Sequence, residues 1–192
     1  MKRRLTKAIS NRQQRAQDSA PPLTVTRPEL LVKGSDREFR VFVHDMLAFA
    51  ARIEAVREAF ASVIGLTGIR YTMLVSARHL EHDGPVNIND IAEHLHLSGA
   101  FVTIETGKLL RAGLLTKTRD EKDRRRVCVK VTPKGMEKLK TLSPLQAKVN
   151  DVLFGCLNAT QFQEFRQVIH QMVDCGDRAL SLFEYLSTAG PL

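Results

Sequence analysis

Asn87–Leu139 reads NINDIAEHLHLSGAFVTIETGKLLRAGLLTKTRDEKDRRRVCVKVTPKGMEKL. Elements of different periodicity follow one another in it. Asn87, with Asp90 three residues on, has the pattern of a capping box, and Ile88, Ile91, Ala92 and Leu95 form one apolar stripe behind it. Ser98 is a favourable cap for a second helix reaching Ala112, with Phe101, Val102, Leu109 and Leu110 turned inward and Gly113 placed to stop it. Leu114–Thr118 is a short strand candidate. Val127, Val129 and Val131 alternate with Cys128 and Lys130, the two-residue period of a half-buried strand. Between them, Arg119–Arg126 is charged at every position and belongs in solvent, so the strands form a hairpin. Thr132 and Pro133 open the next helix.

Working outward, residues 1–35 read as an extended or partly disordered arm, interrupted by Pro21-Pro22, Arg27-Pro28 and Gly34. Ser35 or Asp36 is expected to cap a long helix with Phe39, Phe42, Met46, Phe49, Ile53, Val56, Phe60 and Val63 at steps of three and four, ended by Gly65 and Gly68. A shorter helix follows over Ile69–His82, broken by Asp83-Gly84-Pro85. After the hairpin, Met136, Leu139, Leu142 and Leu145 begin a helical stretch that Pro144 is expected to kink or divide. A last long helix starts at Thr160 and carries Phe162 to Leu186. The fold class is mainly α with a small β-hairpin wing (α+β): helix, two short helices, strand, basic loop, strand is the order of a winged helix-turn-helix, here over 66–140.

Composition narrows the function. Of 192 residues 43% are hydrophobic, too many for a disordered polymer, yet no run of apolar residues is long enough to span a membrane. The N-terminus is basic and then polar, without the apolar middle of a secretory signal, so a cytoplasmic protein is expected. Three scattered cysteines make no disulfide framework. The net charge of +8 is concentrated: residues 1–16 hold six cations and no acid, and 116–140 hold ten cations against four acids, whereas the remainder is net acidic. Two such segments suit a polyanion.

The helix after Ser98 supplies the reading surface. Ser98, Gly99, Ala100, Thr103, Thr106 and Gly107 form a small or hydroxyl-bearing outer face that fits a major groove, and Lys108 and Arg111 stand near phosphates at its end. The hairpin tip offers Lys122, Arg124, Arg125 and Arg126 to a minor groove or flanking phosphates.

Asn87–Leu139 resembles the multiple-antibiotic-resistance regulator (MarR) family, most sharply in Asp120-x-x-Asp123-Arg124-Arg125 and in Val131-Thr132-Pro133-Lys134-Gly135. The resemblance implies a homodimer whose dimerisation region is 36–64 with 144–187. It also implies double-stranded DNA with an inverted-repeat operator as partner, and usually a repressor released by a small aromatic carboxylate or its thioester. It places Asn87, Ser98, Gly99, Ala100, Thr103, Ile104 and Lys108 with the wing cations at DNA, and Asp120 and Asp123 as wing-structuring groups. One departure matters: the family's usual Thr-Arg pair is here Thr103-Ile104.

Other readings compete. Arg40, His44 and Arg52 share the Phe-rich first helix and are candidates for an effector pocket. His79-x-x-His82 has ligand spacing, but His94-x-His96 points two ways, so no metal or cofactor is expected. Cys128, Cys156 and Cys175 are expected to be small buried side chains rather than redox sensors. A redox- or metal-responsive regulator of the same fold and a winged-helix protein-interaction module are the alternatives. No enzyme motif is present: there is no glycine-rich phosphate loop and no Gly-x-Ser-x-Gly.

Overall fold

The computed structural model describes residues 22–119 and 127–190. The helices are α1 (Arg37–Val63), α2 (Gly68–Leu80), α3 (Ile88–Leu95), α4 (Gly99–Arg111), α5 (Pro133–Leu153) and α6 (Ala159–Thr188); the strands are β1 (Leu115–Arg119) and β2 (Val127–Val131). The chain packs as two units, Met1–Ala59 and Phe60–Leu192.

In the first unit, residues 22–36 are not the extended arm expected of them. A single 3-10 turn, Pro28–Leu30, leads to a tight reversal in which Lys33 and Gly34 both take positive φ and Val32 pairs with Ser35. The Asp36 carboxylate is buried and accepts from the Thr24 amide (2.8 Å), the Thr24 hydroxyl (2.7 Å) and the Arg40 guanidinium (2.9 Å). These bonds, the Thr24 hydroxyl foremost, hold its pKa below the ordinary 3.8. Asp36 is therefore spent on fastening the preceding segment rather than on capping; Ser35 Oγ accepts from the Arg37 amide at 3.2 Å instead.

In the second unit, α1 ends at Val63 and Gly65 takes the left-handed turn (φ 69°) that follows it. Gly68, expected to help stop α1, is the buried first residue of α2. The core gathers Met73, Leu74 and Ala77 of α2, Ile91 of α3, Val102 and Leu109 of α4, and Leu114, Leu115, Val129 and Val131 of the hairpin. β1 and β2 pair antiparallel in the register Leu115↔Val131 to Arg119↔Val127, one residue later in β1 than its sequence suggests. Val86 adds an isolated bridge, its carbonyl accepting from the Val129 amide at 2.7 Å. Glu81 at the end of α2 accepts from the Val131 amide, fastening the wing from the other side.

Pro144 does not divide α5: one helix runs from Pro133 to Leu153 with the proline inside it. Domain limits at 140 and 144 therefore fall inside a single element. Leu142 is fully buried, and Gln146 donates to the Tyr71 hydroxyl at 3.0 Å. α6 is different: none of its 30 residues is buried, although Phe162, Phe165, Val168, Val173, Leu180 and Phe183 recur along it.

Candidate nucleic-acid interface

Local chemistry fixes where each reading helix begins. Asn87 Oδ1 accepts from the Asn89 amide (2.7 Å) and the Asp90 amide (3.0 Å), while Asp90 accepts from the Asn87 amide (2.7 Å), the capping box expected of them. Asn87, expected at DNA, thus has its side chain committed within α3's first turn. His96 closes α3 in the left-handed conformation (φ 51°) and Ser98 opens α4, its Oγ accepting from the Phe101 amide at 3.3 Å. The turn between the helices is therefore two residues long, His96 and Leu97, before the new cap.

α4 divides into two faces. Val102, Glu105, Thr106 and Leu109 are buried. Gly99, Ala100, Thr103 and Ile104 are exposed, Ile104 by 59%, and Gly107 is half-buried on the same stripe. Two expectations are corrected. Thr106 lies fully inside rather than on the outer face, its hydroxyl without a partner among the described residues. Phe101 stands 40% exposed rather than inward. Helical geometry is consistent with both: Thr106 lies about 40° from Val102 on the wheel, at one edge of the buried arc, while Phe101 lies about 40° beyond the opposite edge at Glu105.

Sequence reasoning missed the ties that hold α4. The Glu105 carboxylate, 9% exposed, accepts from the Arg70 guanidinium of α2 at 2.9 Å and pairs with Lys108. Hydrogen bonding by Lys108, then Arg70, holds its pKa below the ordinary 4.5 against the opposing effect of burial. Lys108 was expected to meet a phosphate; its ammonium is engaged within α4. The signal was the Glu-x-x-Lys spacing, but Arg70 is 35 residues distant and nothing local announces it. Arg111 remains an exposed cation at the helix end.

The base of the wing is fastened to α5. Thr132 Oγ1 donates to the Gly113 carbonyl (2.7 Å) and accepts from the Gly135 amide (3.1 Å). The wing-tip residues Lys122, Arg124, Arg125 and Arg126, with Asp120 and Asp123, lie outside the described residues.

The remaining candidates are dispersed. Arg40 is paired with Asp36, Arg52 donates to the Ala48 carbonyl at 2.7 Å, and His44, four residues after Arg40 and eight before Arg52, is exposed. A cleft of about 500 Å³ is lined instead by Asn89, Ala92, Glu93, His96, Leu97, Gly99 and Asp177, with His96 Nδ1 3.3 Å from the Asp177 carboxylate. His79 stacks on His94 at 5.6 Å rather than acting with His82; burial, then His79 and His96, lowers the His94 pKa. Among the described residues no group of three or more metal-binding side chains converges. Cys128 is buried as expected, but Cys156 and Cys175 are exposed, the latter accepting from Arg178 at 3.1 Å.

A short helix with an exposed outer stripe, set by a tight turn and flanked by a hairpin, is matched by a family of known domains. Residues 74–135 match the family described as winged helix DNA-binding domain. The chain has a winged-helix fold. A mutant MarR from E. coli, solved with operator DNA, superposes with a TM-score of 0.58 at 15% identity, covering 70% of this chain and 95% of that one. The transcription regulator MarR from Oenococcus oeni PSU-1 gives 0.57 at 18% identity over 69% and 98%. PcaV from Streptomyces coelicolor, solved with its natural ligand, gives 0.51 at 23% identity over 66% and 90%. A comparison with curated protein sequences gave no match. In the winged helix, α4 occupies the position of the recognition helix and β1–β2 that of the wing. Among the described residues no single helix is long and apolar enough to cross a membrane.

Proposed function

We propose that the chain is a homodimeric transcription regulator that binds an inverted-repeat operator in double-stranded DNA, acting in the cytoplasm as a repressor. The observation that carries this is the recognition helix itself: anchored by Arg70–Glu105, it leaves Gly99, Ala100, Thr103 and Ile104 uncovered and short enough to approach base edges. The ten cations against four acids between residues 116 and 140 suit a phosphate backbone. The operator-bound MarR of the same fold supports the DNA partner.

The homodimer is supported by the apolar positions that are exposed on α6 and, separately, on α1 among the described residues. Leu180, Phe183 and Tyr185 are each more than 60% exposed, and 30 helical residues with none buried are unusual for a helix that works alone. Release by a small aromatic carboxylate or its thioester is the regulatory step we propose. It is supported by the basic side chains Arg40, His44 and Arg52 on the Phe-rich α1 and by the ligand-bound PcaV of the same fold.

Operator selection from random duplexes, followed by titration, tests the reading. Arg124→Ala or Arg125→Ala should each weaken binding about tenfold or more and leave the oligomeric state unchanged. Unchanged affinity in both variants would remove the wing from the mechanism.

A further inference from the structure

Ile104 stands where a base-reading side chain belongs, yet it has no hydrogen-bonding atom. The stripe around it is equally poor in free donors. At their side-chain positions Ala100 and Gly107 offer only hydrogens on carbon, and the Thr103 hydroxyl donates to the Gly99 carbonyl at 2.7 Å, which turns its methyl away from that bond. Ser98 Oγ accepts from the Phe101 amide at the cap, so the hydroxyl it can still donate lies at the N-terminal end of the stripe, and Lys108 is drawn to Glu105. Phe101 adds a second exposed apolar side chain three residues before Ile104. Arg111 is the cation left on this stripe, and it stands at the opposite end of the helix from Ala100.

A helix presenting methyl groups to a major groove finds one complementary feature there. Guanine, cytosine and adenine display polar edges, whereas thymine displays a C5-methyl. Seating Ile104 against a polar edge would desolvate that edge without replacing its hydrogen bonds, a net loss. Against a thymine methyl, both partners leave water with no polar group stranded.

We propose that Ile104 is a specificity-determining residue that selects thymine in each half-site by contact with its C5-methyl, with the Thr103 methyl and Phe101 as apolar neighbours. The inference rests on the operator-binding reading and says what kind of half-site the helix takes.

The test uses the full chain and the duplex enriched from a random library. Each thymidine is replaced in turn, symmetrically in both half-sites, by deoxyuridine, which removes the methyl and keeps the pairing. The expected result is one position per half-site at which the methyl is worth roughly threefold to tenfold in affinity. At that position Ile104→Ala should bind thymidine and deoxyuridine duplexes equally, while retaining salt-dependent binding. Wild-type protein indifferent to deoxyuridine at every position, or Ile104→Ala with the penalty undiminished, would overturn the proposal while leaving DNA binding intact. Failure of any duplex to be enriched or retained would overturn the operator-binding reading and this inference with it.

Discussion

At Gly135 there is no room for a side chain. A Cβ built there would lie 2.5 Å from the Leu114 carbonyl oxygen and 2.8 Å from Val131 Cγ1. The first contact is backbone and cannot swing aside, and that same oxygen accepts from the Thr132 amide at 3.0 Å. Gly135→Ala should therefore destabilise the chain by about 2–3 kcal/mol, read as a lowered urea midpoint; an unchanged midpoint would show that helix and hairpin base are not in contact. The Thr132–Gly135 segment is legible in sequence as a helix start, through Thr-Pro, but the reason for its glycine is not. The carbonyl it must approach belongs to Leu114, 21 residues earlier, and only the folded hairpin brings it there. Asp36 teaches the same lesson: its sequence neighbours suggest a cap, and a distant Thr24 takes the carboxylate instead.

Between elements, the tie from α2 to α4 is electrostatic as well as apolar. Glu105 stands against Arg70 with a depressed pKa, so the carboxylate contributes stability that is complete above the ordinary 4.5 and lost as pH falls through the lower folded value. Glu105→Gln should cost on the order of 1 kcal/mol at neutral pH, and the difference from wild type should shrink when denaturation is repeated well below pH 4.5. A constant difference across that range would mean that the ionised pair does not hold the helix. The elements themselves are mostly legible. Periodicity and caps gave α3, α4 and the hairpin to within a residue or so, because their stripes are short and their caps, Asn87 and Ser98, are local. Positions went astray where tertiary packing overrides local preference: Gly68 opens a helix, Pro144 fails to divide one, Phe101 faces solvent and Thr106 lies inside.

For the whole molecule the account depends on presenting two recognition helices at once. The positive charge of residues 116–140 brings one domain to a polyanion, but sequence-specific affinity for an inverted repeat needs a second copy held at a fixed spacing. The apolar stripe of α6 is visible in the sequence, and none of its residues is buried among the described residues. The wing-tip roles of Arg124 and Arg125 rest on the charge of the hairpin loop and on the resemblance, since those residues lie outside the described ones. The most direct measurement is the light-scattering mass of the protein alone and on its selected duplex. The account predicts twice the 21.6 kDa of one chain in free solution and two chains per duplex, the bound fraction falling steeply with added salt. One chain per duplex, or a free mass equal to that of one chain at the concentrations where DNA is bound, would contradict it.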